Sequence, residues 1–315
     1  MSTALFDTTE KSTTDRVFSI ARRTPRVGLG AALPPWLAAR WAAHLFATPR
    51  SFERTDAEDV FLLGGKPFRV HGLAAWRWGS GPPVYLMHGW EGRGSQLASF
   101  VEPLVARGYS VVAFDAPAHG ASPGTEATLS DFADSLLALQ KYVGAPAAVI
   151  AHSFGTLATL LAVRRGLSAR ALVLLAVPSP RERLALFRAT LHLPDAVTGR
   201  LRALIEDRVG APWDDVEGAA LAAGIGVPSL VIHDSDDKEV PMAHSEATAQ
   251  SLSSSTFEVT KGLGHRRILK DAGVVSLVAS FVAKNAPPPA PRAVKPESRA
   301  HERLRDATGV TCPSW

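Results

Sequence analysis

The 315-residue chain is 46% apolar and 20% charged, a balance that excludes a disordered chain and allows a sizeable core. Its formal charge of +4 is small for this length, and no nucleic-acid-reading motif accompanies it, so nucleic acid is not an expected partner. A single cysteine, Cys312, admits no intrachain disulfide, no apolar run approaches the ~20 residues that span a bilayer, and Asp7, Glu10, Lys11 and Asp15 break up any signal-peptide core, so a cytoplasmic location is expected.

Residues 1–59 form a basic N-terminal extension, with arginines and no acidic residue between Arg16 and Arg50. Within it the segment 35–46 predicts a helix on which Trp36, Leu37, Arg40, Trp41, His44 and Leu45 partly share a face. Packing on the protein's own domain is the preferred reading of that face; contact with an anionic membrane surface is the competing one. Residues 60–78 read as a leading antiparallel pair.

Short apolar runs then alternate with helical patterns. Buried strands are expected at 83–87, 110–114, 147–151, 171–176, 229–233 and 256–260, and helices at 95–107, 129–142, 154–165, 243–252 and 273–284. This alternation predicts an α/β fold, a mostly parallel, doubly wound sheet whose core comprises 60–177 and 225–284. After the sixth strand, residues 178–224 replace a plain crossover with nearly fifty residues of helical periodicity, read as a helical lid over the strand C-termini. The Pro-rich tail, 285–315, is expected to be disordered.

The chemistry concentrates where the run 147–151 leads into His152-Ser153-Phe154-Gly155 and directly into a helical stretch. A serine on so tight a strand-to-helix turn needs small neighbours two positions before and after, here Ala151 and Gly155. The turn would expose Ser153 and aim the Phe154 N–H and the helix dipole at an oxyanion. A literal G-x-S-x-G occurs instead at Gly120-Ala-Ser122-Pro-Gly124, but Pro123 has no N–H to offer and no strand enters the motif, so Ser122 reads as a loop residue. No paired Cys or His spacing suggests a metal, and no phosphate-binding glycine motif follows a strand, so no cofactor is implied.

With the elbow in place, the body resembles the α/β-hydrolase superfamily, in its serine-hydrolase, carboxylesterase-like form, whose triad follows the order Ser, acid, His. After the strand at 229–233 comes Asp234-Ser-Asp236-Asp237-Lys-Glu-Val240-Pro241, and the resemblance selects Asp237 over Asp234 and Asp236, because the family's acid precedes a Val-Pro. The loop Gly262-Leu-Gly264-His265, one strand later, supplies His265 as general base. His88-Gly89-Trp90 resembles the family's His-Gly turn, implying the Trp90 N–H as second oxyanion donor with His88 and Gly89 in support. Glu91 and Arg93 beside it read as a solvated charge pair, or else as a gate on the turn. Asp115 to Ser122 resembles a structural turn of the family, with His119 as a departure.

The resemblance therefore implies hydrolysis of a carboxylic ester of a small molecule with a hydrophobic acyl group, through an acyl-enzyme. The same triad serves thioesterases, lactonases and acyltransferases, and a non-catalytic ligand-binding protein on this fold is the alternative of another class.

Overall fold

The computed structural model describes residues 33–289. Eight strands form one sheet in the order β1-β2-β4-β3-β5-β6-β7-β8. The strands are β1 (Lys66–Val70), β2 (Leu73–Gly79), β3 (Pro83–Met87), β4 (Ser110–Phe114), β5 (Ala148–His152), β6 (Ala171–Leu175), β7 (Ser229–Asp234) and β8 (Ser255–Thr260). β1 and β2, and β2 and β4, pair antiparallel, and every other neighbouring pair is parallel.

Side chains on the central strands divide between two cores with the two-residue period of a pleated strand. Tyr85, Met87, Val149, Ala151, Leu172 and Leu174 face helices α4 (Leu129–Val143) and α5 (Phe154–Arg164). Val84, Leu86, Ala148, Ile150, Val173 and Leu175 face α3 (Val101–Val105) and α11 (Ala272–Asn285). Both faces are covered, which is why β3, β5 and β6 read as continuous apolar runs.

The 256–260 strand departs from expectation. β8 lies at the sheet edge and is largely exposed, with Val259 51% accessible, because no strand among the described residues pairs with its outer side. The leading pair is β1 and β2, and Val60 to Leu63 belong instead to helix α2 (Asp56–Leu63). Thr55 and Glu58 cap that helix reciprocally, the Thr55 side chain accepting from the Glu58 N–H and the Glu58 side chain from the Thr55 N–H. The 95–107 helix opens as a 3-10 turn, Gly94–Phe100, before α3.

Helix α1 (Pro35–Ala47) buries Ala38, Ala39, Ala42, Ala43, Phe46 and Ala47, while Trp36 is 56% exposed. The packed face is thus the alanine stripe, whose small side chains admit close approach to α7 (Asp195–Val209), and not the Trp36–Leu37 face. Between β6 and β7 run α6 (Pro180–Leu191), α7, a 3-10 turn (Trp213–Val216) and α8 (Gly218–Ala222), the last packed on α5 and on α9 (Met242–Ser251). Among the described residues no helix is long and apolar enough to cross a membrane. The tail expected to be disordered lies, from residue 290, outside the described residues, as do residues 1–32.

Candidate active site

Ser153 stands between β5 and α5 with φ 51° and ψ −125°, backbone values that cost a non-glycine residue about 1–3 kcal/mol and persist only where the surroundings hold them. Here its N–H donates to Leu175 O at 2.8 Å, tying the turn to β6, and its carbonyl accepts from the Thr156 N–H at 2.8 Å. Gly155 is required by contact: a Cβ there would stand 2.4 Å from His88 O and 2.8 Å from Met87 O. Gly89 lies equally close on the other side, where a Cβ would stand 3.0 Å from that of Ser153. The His-Gly turn and the elbow therefore abut, bringing Trp90 beside Phe154, their rings 5.4 Å apart and edge-on. As the first residue of α5, Phe154 offers an N–H that no preceding helical turn can take up.

The acid and the histidine meet as the sequence order requires. His265 lies in the short helix α10 (Gly264–Arg267), and its Nδ1 is 2.7 Å from Asp237 Oδ2. The other oxygen, Oδ1, accepts from the N–H groups of Glu239 at 2.7 Å and Val240 at 3.0 Å. Burial opposes ionisation of Asp237, but the bond from His265 and these backbone donors outweigh it and lower its pKa. An ionised Asp237 fixes the proton of His265 on Nδ1 and leaves Nε2 as a lone-pair acceptor.

Asp234 is built for a different purpose. Its carboxylate accepts from the N–H groups of Asp236, Leu263 and Gly264 and from the Thr260 hydroxyl, clamping the histidine loop to the acid loop. His152 completes the brace from the serine side, its Nε2–H donating to His265 O at 2.9 Å. Neither role was visible in the sequence, because the partners on the histidine loop lie more than twenty residues away.

Ser122 is buried, its hydroxyl donating to Asp115 O at 2.5 Å and accepting from the Ala74 N–H at 2.9 Å, so it is fully engaged in holding its loop. The reading of Glu91 and Arg93 as a solvated pair is corrected. Glu91 is chelated by Arg50, with Nε at 2.8 Å and Nη2 at 2.6 Å, and buried Arg93 is chelated by Glu58 at 2.7 and 2.8 Å. Burial acts against ionisation of Glu58, and the bonds from Arg93, the Thr55 N–H and Ser95 together with the Arg93 charge outweigh it, taking the carboxyl down to about 2. The turn carrying Trp90 is thus pinned from both flanks by the segment that precedes the sheet.

Behind it, His88 accepts from the Ala116 N–H through Nε2 at 2.9 Å, and His119 from the Glu91 N–H at 3.0 Å. Burial lowers His88 from 6.5 to about 4 and His119 to about 3. The unfolded chain therefore binds more protons than the folded one once the pH drops below about 6.5, and stability should fall from there towards pH 4. At about 1.4 kcal/mol per pH unit for each histidine, His88 and His119 together should contribute up to about 4 kcal/mol to the difference in denaturant unfolding between pH 7 and pH 5, and His152 and His233, also lowered by burial, add to it. His119→Gln should remove about half of the part due to His88 and His119, and a pH-independent stability would contradict it. Among the described residues no cluster of three His, Cys, Asp or Glu side chains could hold a metal ion.

Residues 70–277 match the sequence model of the Alpha/beta hydrolase family. The chain belongs to the alpha/beta hydrolase family. A non-heme haloperoxidase from Rhodococcus erythropolis is 28% identical over 257 residues, 65% of this chain and 93% of that protein. An esterase of Pyrococcus furiosus superposes with a TM-score of 0.57 at 18% identity, covering 76% of this chain and 99% of its own. A monoacylglycerol lipase of Paleococcus ferrophilus does so with a TM-score of 0.54 at 20% identity, covering 68% and 99%.

Proposed function

We propose that this alpha/beta hydrolase cleaves carboxylic esters of small molecules with Ser153 as nucleophile, His265 as general base and Asp237 as its orienting acid. The observation that carries the reading is the 2.7 Å bond between Asp237 and His265, in a chain whose strained serine stands at a strand-to-helix turn. His265 Nε2 takes the Ser153 proton as Oγ attacks the carbonyl, and the N–H groups of Trp90 and Phe154 receive the oxyanion. The leaving alcohol takes that proton back, and water, deprotonated by the same histidine, releases the acid. Helices α6 and α7 serve as the lid, and the N-terminal extension packs on it through α1.

A p-nitrophenyl ester series of increasing acyl length tests the reading, together with labelling by a fluorophosphonate. Turnover with phosphonylation mapped to Ser153, unchanged in Ser122→Ala although that variant loses about 1–3 kcal/mol of stability, is the expected result. Labelling lost in Ser122→Ala, or no turnover of any ester, would overturn it. The name of the Rhodococcus relative supplies a second reading, halide oxidation by peroxide. Bromination of an added acceptor by bromide and hydrogen peroxide, without ester turnover, would favour that reading instead.

A further inference from the structure

Arg183, on α6, carries its guanidinium into an aromatic box: 4.1 Å from the ring centre of Phe46, 4.2 Å from Trp90 and 5.5 Å from Phe154. Its hydrogen bond runs from Nη2 to Phe46 O at 2.8 Å, and among the described residues no carboxylate pairs with it. The near acid, Glu91, is already chelated by Arg50. Arg93, on the far flank of the same turn, has its carboxylate in Glu58, so the fold gives one cation there a carboxylate and the other only π faces and one backbone carbonyl. Burial lowers Arg183 to about 10, which still leaves it charged at neutral pH.

A second donor stands in the same place. Trp213 is 4% exposed, and among the described residues its buried indole N–H has no hydrogen-bond partner. Arg183, Trp213 and Phe154 line one cavity of about 40 Å³, whose remaining wall is mostly apolar. Its one carboxylate, Glu206, is engaged by the Trp213 backbone N–H at 2.7 Å and by Arg202 at 2.9 Å. A buried cation without a carboxylate and a neutral donor without an acceptor among the described residues, both lining an apolar cavity with Phe154, are complementary to an acceptor-only anion on an apolar stem.

We propose that the cavity binds an acyl group ending in a carboxylate, so that the substrates are esters of dicarboxylic acids, with Arg183 as the specificity-determining residue. This rests on the ester-hydrolase reading and narrows it. Ser153 Oγ would bond the ester carbonyl as its C–O bond breaks, the proton passing through His265 to the departing alcohol. Water then cleaves the acyl-enzyme and frees the dicarboxylate.

The experiment compares kcat/KM for p-nitrophenyl hemiglutarate with that for the neutral isostere p-nitrophenyl 5-methylhexanoate, in wild type, Arg183→Lys and Arg183→Met. Wild type should prefer the hemiglutarate; Arg183→Met should lower that ratio by about 10–100-fold, mainly through KM, and Arg183→Lys by less. Tryptophan fluorescence of the Ser153→Ala protein titrated with glutarate supplies a readout that needs no turnover. Equal losses on both esters in Arg183→Met would make Arg183 a structural clamp and overturn the proposal. So would neutral esters cleaved without preference and no glutarate binding, which would leave ester hydrolysis standing. Arg183-dependent glutarate binding without cleavage of any ester would instead keep the anion site and remove the hydrolase reading.

Discussion

Ser153→Ala should lower ester turnover by about three to six orders of magnitude, to a residue of catalysis supplied by the oxyanion donors alone. The prediction separates chemistry from folding because the Ser153 side chain makes no capping hydrogen bond to α5, so alanine removes the nucleophile and little else. The turn keeps its ties through backbone groups, the Ser153 N–H to Leu175 O and the carbonyl to Thr156, which the substitution leaves intact. Thermal unfolding should accordingly stay within a few degrees of wild type, a shift of about 1 kcal/mol or less. A variant that folds and retains its rate would remove Ser153 from the mechanism.

Asp237→Asn should cost about 10⁴-fold in kcat at neutral pH. The carboxamide oxygen can still accept from Glu239 and Val240, which turns its NH2 group towards His265 Nδ1. A donor facing Nδ1 forces the histidine proton onto Nε2, where it faces the serine and cannot accept from it. The matched control is Asp234→Asn, which keeps one oxygen and so loses the acceptor for either Leu263 or Gly264, and should lower stability by about 1–3 kcal/mol, with a far smaller change in kcat. Equal rate losses in the two variants would mean that loop position, rather than the histidine tautomer, limits the reaction.

What the sequence made legible was local. Ser153 could be found because an apolar run, a serine flanked by small residues and a helical pattern occur consecutively, and Gly155 because backbone contact tolerates nothing larger. Asp237 and His265 were proposed from the resemblance to the family, through its triad order and the Val-Pro of its acid loop. Their hydrogen bond joins residues 28 positions apart, and the pattern that places them was one of motif, not of periodicity.

What stayed hidden was long-range or set by position in the sheet. Hydropathy could not distinguish β8 as an edge strand, since Val259 looks like any core valine until its missing neighbour is known. Glu91 and Arg93 are adjacent enough to suggest each other, yet each pairs with a residue some forty positions upstream. One signal was available: Thr55-Asp-Ala-Glu58 has the spacing of a capping box and marks the start of α2. The stacking of Arg183 had none, because cation–π contacts leave no spacing in the chain.

The salt bridges from Arg50 and Glu58 have a consequence for recombining this enzyme with its relatives. They originate before residue 70, where the match to the family begins, yet they hold the turn bearing Trp90. A chimera joined at that boundary would inherit Ser153, Asp237 and His265 intact, and exchange the brace on the turn whose Trp90 N–H is the proposed oxyanion donor.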